Sequence, residues 1–112
     1  MMRKNRNEDI CRGDIFWCTP REAPSGKRLY VVVSNNLACR HSNSILMCPL
    51  TTKEKKDLPT HVKVKKIFGR DATILCESIV AIDKKDIMDY VVTLNDYELK
   101  KMNVAIYISV GL

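Results

Sequence analysis

Lys27 and Arg28 stand directly before the apolar run Leu29-Tyr30-Val31-Val32-Val33. A run of that kind belongs in a core. A guanidinium at its entrance is therefore either an ordinary strand end or the lip of a site. Arginine carries five donors in a rigid fork that matches two oxygens of one phosphate. Glu77 lies within the apolar stretch Thr73 to Val80, where burial would raise its pKa toward a range useful for proton transfer. A carboxylate placed there could equally fix a loop or a subunit contact. The two histidines lack metal-ligand spacing. His61 alternates with Val62 and reads as a solvent-facing ring; His41, in an Asn-rich stretch, could stack on a base. Phe16 and Trp17 are adjacent and face opposite sides of their strand, one toward the core. The other is placed to stack on a ligand or to pack at a subunit contact.

The five cysteines propose no chemistry of their own. Cys11, Cys18, Cys39, Cys48 and Cys76 are odd in number, widely spaced and without a Cys-x-x-Cys pair. Neither a disulfide framework nor a zinc site is expected, and no base is paired with a thiol. Cys48 and Cys76 sit in apolar runs and read as small core hydrophobes.

The 112 residues fit one domain with a single core. With 46% hydrophobic and 29% charged residues the composition is that of an ordinary globular protein. No apolar run approaches the ~20 residues that cross a bilayer, so no membrane partner is expected. The start, MMRKNRNEDICRGD, lacks the apolar segment of a secretory signal, and the default location is cytoplasmic. A net charge of +6 favours a polyanionic partner. The cations fall in several groups, most of which read as solvated faces.

The elements that must position these groups follow from the pattern. Residues 1–11 read as a polar lead-in and 12–112 as one domain. Strands are expected at Gly13–Cys18, Leu29–Ser34, Ser44–Cys48 (closed by Pro49), His61–Lys65, Thr73–Val80 and Ile87–Val92. Val62-Lys63-Val64-Lys65 alternates strictly, which marks a half-exposed strand. Asn35 to Asn43 reads as a loop, and Phe68 to Asp71 as a turn. Asn95 with Glu98 forms a capping box, and Leu94 with Leu99 a hydrophobic staple. Leu99, Met102, Ala105, Ile106 and Val110 then recur at helical spacing over about four turns. Many short strands followed by one helix imply a mainly β fold, a small barrel with a C-terminal helix packed on it.

The order of segments resembles a known family. Arg12-Gly13-Asp14-Ile15-Phe16-Trp17, Arg28 before Val31-Val32-Val33-Ser34-Asn35, Pro49-Leu50-Thr51, Leu58-Pro59-Thr60-His61-Val62, Ile74-Leu75-Cys76-Glu77, Ile82-Asp83-Lys84 and the ending Ile108 to Leu112 are similar to the MazF/PemK family of toxin endoribonucleases. The resemblance implies an SH3-like barrel of antiparallel strands with a C-terminal helix, in a homodimer. It implies sequence-specific cleavage of single-stranded RNA without metal or cofactor, by attack of the 2′-hydroxyl on the adjacent phosphate. The products are a 2′,3′-cyclic phosphate and a 5′-hydroxyl. It also implies a cognate antitoxin whose C-terminal peptide fills the RNA groove. By the same resemblance Arg28 and Thr51 are the catalytic pair.

Chemistry divides the roles further. Arginine is a poor base, so Arg28 suits a phosphate clamp and acid; the base is then Glu22, Glu77 or a histidine. Trp17, Lys27, Asn35, His41, Thr52, Lys53 and Ser78 are the candidate RNA-binding residues. Three departures from the family stand out: Leu29 in place of a proline after Arg28, a short loop from Thr19 to Lys27, and Ser78 and Val80 where relatives carry Gln and Arg. Two other readings compete: a non-enzymatic CcdB-like toxin acting on gyrase, and an inactive RNA-binding module.

Overall fold

Residues 10–21 and 26–112 are described in the computed structural model. The expected lead-in over residues 1–9, Glu22 and much of the Thr19–Lys27 loop lie outside the described residues. Ile10 departs from the lead-in reading: it is buried in the core beside Phe16 and Val32.

Among the described residues seven strands and two helices follow in chain order: β1 Asp14–Cys18, β2 Arg28–Val32, α1 Asn36–His41, β3 Ser44–Thr51, β4 His61–Ile67, β5 Arg70–Leu75, β6 Val80–Asp83, β7 Ile87–Thr93 and α2 Asp96–Ser109. A 3₁₀ turn, Lys84–Asp86, joins β6 to β7. The strands pair antiparallel in the order β4-β5-β3-β2-β1-β7, with β6 against the first half of β3. The sheet curls into a half-barrel and α2 packs against β4.

The continuous apolar runs are buried on both faces of the sheet. Ile15, Leu29, Val31, Cys48 and Leu50 enter one core cluster. Their neighbours Phe16, Tyr30, Val32 and Met47 enter a second on the other face. Period-2 geometry makes this division automatic once both faces are covered.

Three expectations are corrected. Pro49 does not close its strand; β3 runs on to Thr51. It sits where β3 leaves β6 and takes up β5, a break in the ladder where a missing donor is tolerated. The expected strand Thr73–Val80 is two strands separated by a turn at Cys76–Glu77, one pairing with β4 and the other with β3. The expected loop from Asn35 holds the short helix α1, whose first turn is capped by the Asn35 side chain accepting from Ala38 N at 2.8 Å.

The Arg-Gly-Asp segment is a structural knot. Gly13 takes φ +92, and a Cβ there would stand 3.0 Å from Leu99 Cδ1. Asp14 is fully buried and accepts from Cys11 N (3.0 Å) and the Thr93 hydroxyl (2.6 Å). Arg12 donates Nε to Val33 O at 3.0 Å and Nη1 to Asn103 Oδ1. One tripeptide thus ties β1 to β2, β7 and α2.

At the C-terminus the capping box forms as expected. Glu98 N donates to Asn95 Oδ1 at 2.8 Å, and Asn95 N donates to Glu98 Oε1 at 3.0 Å. Such a cap is worth about 1 kcal/mol. Met102 and Ala105 are buried and Leu99 and Ile106 half-buried, but Val110 is the exposed C-cap rather than part of the packed face.

Candidate active site

The register of β2 against β3 sets the site. Tyr30 lies across from Pro49, Val31 from Cys48 and Val32 from Met47. Carried two residues further, the same register places Arg28 across from Thr51, at the open ends of both strands. Both line a groove of about 610 Å³, with Trp17, Lys27, Leu29, Leu50, Thr52, Lys53, Lys55 and Leu75. Leu29, Leu50 and Leu75 give it an apolar floor. Lys27, Lys53 and Lys55 ring it with positive charge. Among the described residues its lining holds no carboxylate and no imidazole.

Packing anchors Arg28 from behind. Leu29, where the family resemblance implies proline, is buried in the core and paired with Trp17 of β1. Arg28 itself pairs with Cys18, and its guanidinium stands 6.0 Å from the Tyr30 ring on the same strand face. The burial of Tyr30 pushes its phenol upward, an effect that Arg28 partly offsets. Thr51 ends β3, half-buried, with its Oγ1 accepting from Lys53 N at 3.2 Å. That bond leaves the hydroxyl proton to be donated.

Glu77 is not where the sequence reading put it. It lies in the turn beyond β5, its side chain 44% exposed, outside the groove lining. The expected rise in its pKa is reversed. Desolvation still pushes it up, but hydrogen bonds from His61, its own backbone N–H and Thr60 outweigh that and lower it. His61 is likewise corrected. Its ring is only 8% exposed, with Nε2 3.0 Å from Glu77 Oε2 and Nδ1 2.8 Å from Lys56 O. Both partners are pure acceptors, so only the doubly protonated imidazolium satisfies both. Desolvation opposes that charge, yet Glu77 and the Lys56 carbonyl raise the His61 pKa on balance. The pair fastens the loop from Thr52 to Thr60, which carries Lys53 and Lys55.

The remaining candidates divide cleanly. Trp17, Lys27, Arg28, Thr51, Thr52 and Lys53 meet in the groove. Asn35 is the cap of α1, His41 is exposed at the far end of that helix, and Ser78 is half-buried in the turn after β5, its N–H donating to Leu75 O at 3.1 Å. None of these three lines the groove. Glu22 lies outside the described residues. Cys18, Cys39, Cys48 and Cys76 are buried, and burial pushes the Cys18 thiol up to about 12. Cys48 rises through its hydrogen bond with Cys76 and through burial.

A curled half-barrel with an arginine and a threonine in one lysine-rimmed groove defines a small barrel protein with a C-terminal helix. Residues 11–110 match the family described as PemK-like, MazF-like toxin of type II toxin-antitoxin system, and the chain belongs to that family. It is 31% identical over 111 residues to Endoribonuclease EndoA of Bacillus subtilis (strain 168), covering 92% of this chain and 96% of that protein. It is 30% identical over 109 residues to Endoribonuclease MazF of Staphylococcus saprophyticus, covering 90% and 91%. Among solved structures the fold matches an endoribonuclease in complex with its cognate antitoxin from Mycobacterial species. The TM-score is 0.82 at 23% identity, over 93% of this chain and 97% of that one. A MazE–MazF complex from Deinococcus radiodurans matches with TM-score 0.75 at 16% identity, over 91% and 95%.

Proposed function

We propose that this toxin binds single-stranded RNA along the Arg28–Thr51 groove and cuts it by 2′-hydroxyl attack. The activity class, endoribonuclease, follows from family membership. The observation that carries the finer reading is the groove in which Arg28 and Thr51, at the adjoining ends of the paired strands β2 and β3, lie with Lys27 and Lys53.

In this reading Arg28 grips two phosphate oxygens with its fork and the Thr51 hydroxyl donates to the same phosphate. Donors fixed toward developing charge on the phosphorane carry most of the acceleration. The internal 2′-hydroxyl is the nucleophile and Arg28 supplies the cation, so the step requires no metal. The 2′-oxygen–phosphorus bond forms, the phosphorus–5′-oxygen bond breaks, and Arg28 protonates the leaving oxygen. Glu77 and His61 are committed to each other and His41 does not line the groove, so Glu22, six residues before Arg28, is the remaining candidate base. The lysine rim also suits the acidic, initially disordered tail of an antitoxin, which would silence the toxin by filling the groove. A homodimer is part of the same reading.

The test is cleavage of single-stranded RNA by the purified protein in EDTA, with the cyclic phosphate identified at the new 3′ ends. Arg28→Ala and Thr51→Ala should each lower cleavage by about 10²-fold or more, the scale of a lost transition-state donor, with unchanged circular dichroism. Cleavage that persists in both variants removes the site assignment.

A further inference from the structure

Phe68 occupies a position that its residue type does not suit. It is the first of the two turn residues between β4 and β5, closed by the pair Ile67 and Arg70. Its φ is +52 and that of Gly69 is +73. Two positive φ values mark a type I′ hairpin, where Asn, Asp or Gly is favoured at the first position. A bulky aromatic residue there is a backbone outlier. Burial does not account for it, because Phe68 is 64% exposed.

The ring does have a neighbour. It lies nearly parallel to Trp17, with centroids 5.8 Å apart and an interplanar angle of 19°. Lys27 Nζ stands 5.2 Å from the Trp17 ring centroid. Trp17 in turn lines the groove with Arg28 and Thr51. Aromatic surface therefore runs from the groove wall out to an exposed ring, with a cation beside it. Single-stranded nucleic acid is held by this combination: charge follows the backbone, and every base offers a π-face to stack.

We propose that Phe68, backed by Trp17 and Lys27, is a stacking subsite for an unpaired base next to the phosphate held at Arg28 and Thr51. The inference rests on the reading that this groove holds RNA. The strained turn position serves it by projecting the ring outward from a rigid hairpin rather than folding it into the core. Because stacking is tolerant of base identity, the subsite contributes affinity and register along the strand more than sequence choice.

Trp17 is the sole tryptophan of the chain, so its fluorescence reports the subsite directly. A 2′-O-methyl RNA ten-mer of mixed sequence cannot be cut and should quench it. Inorganic polyphosphate, which has charge but no bases, should not. Phe68→Asn suits the left-handed turn, so the fold is kept, as a urea melt will show. This variant should bind the ten-mer about tenfold more weakly and raise KM for RNA cleavage about tenfold, more than it lowers kcat. Phe68→Tyr should restore both. An Asn variant within twofold of the parent in affinity and KM overturns the subsite, as does equal quenching by polyphosphate. If the parent protein binds and quenches, the Asn variant does not, and neither cuts RNA, the subsite stands and the cleavage reading falls.

Discussion

His61 offers a quantitative test of how the groove is held. Its two nitrogens point at a carboxylate and a carbonyl, so the folded state favours the charged ring. A group whose folded pKa is raised contributes fully below its unfolded value, about 6.5, and loses that contribution as pH rises through the folded value. Glu77, whose pKa is lowered, works the other way: its share is present above about 4.3 and is lost as pH falls through its folded value. The pair therefore stabilises most between about pH 4.3 and 6.5 and weakens toward pH 8.5. A hydrogen bond to a charged group is worth about 1.5–3 kcal/mol and an exposed ion pair about 0.2–1. With Glu77 44% exposed and the His61 ring 8% exposed, the charge-dependent part is about 1 kcal/mol. That corresponds to roughly 4 °C in Tm for a domain of this size. The assay is urea unfolding of the parent protein and of His61→Gln at pH 6.0 and 8.5, at one protein concentration because association would shift the midpoint. The parent's advantage should be about 1 kcal/mol larger at pH 6.0. Lys55, which opposes the charge, and Lys63, Lys65, Lys100 and Lys101, which border a second groove with His61, repel the imidazolium and hold the difference near the low end of the hydrogen-bond range. An advantage independent of pH would refute the charged latch.

Two further outcomes are expected. Asp14→Ala removes a fully buried acceptor from the Cys11 amide and the Thr93 hydroxyl, and should cost about 1–3 kcal/mol by urea melt; a loss below about 0.5 would show that the knot is not stabilising. At pH 8 a thiol reagent should label only Cys11 quickly in the native protein, since the other four cysteines are buried. Rapid labelling of more than one thiol would contradict that burial.

What the sequence shows clearly is local. The capping box at Asn95 and the alternation of Val62 to Lys65 each read directly because a few neighbouring side chains decide them. Arg28 was visible as a cation at a strand entrance. Its relation to Thr51 was not visible from spacing alone, because twenty-odd residues of loop, helix and strand separate them and only the β2–β3 register brings them together. Pro49 misled for a related reason: a proline normally ends a strand, and the exception depends on a change of partners elsewhere in the sheet. The six-residue α1 is too short for helical periodicity to show. Glu77 and His61 each looked ordinary alone, one a buried acid and the other an exposed ring. Their contact across sixteen residues reverses both descriptions. Phe68 falls in a sequence that reads as a turn, and an aromatic residue where Asn or Gly is favoured is the signal of its special place.

The pairing of β1 with β7 has a consequence in time. A growing chain acquires Arg28 and Thr51 well before Ile87, so both ends of the β2–β3 register exist early. Strand β1, which supplies Trp17, gains its second neighbour only when Ile87 to Thr93 has been made. Arg12 finds Asn103 later still. Until then β1 is held by β2 alone and its other edge is open. Translation proceeds at about 5–20 residues per second, so a nascent chain passes through seconds in which Arg28 and Thr51 are present before β1 has its second neighbour. The wall that carries Trp17 takes its final support only when β7 and α2 have been made and secure β1 and Arg12.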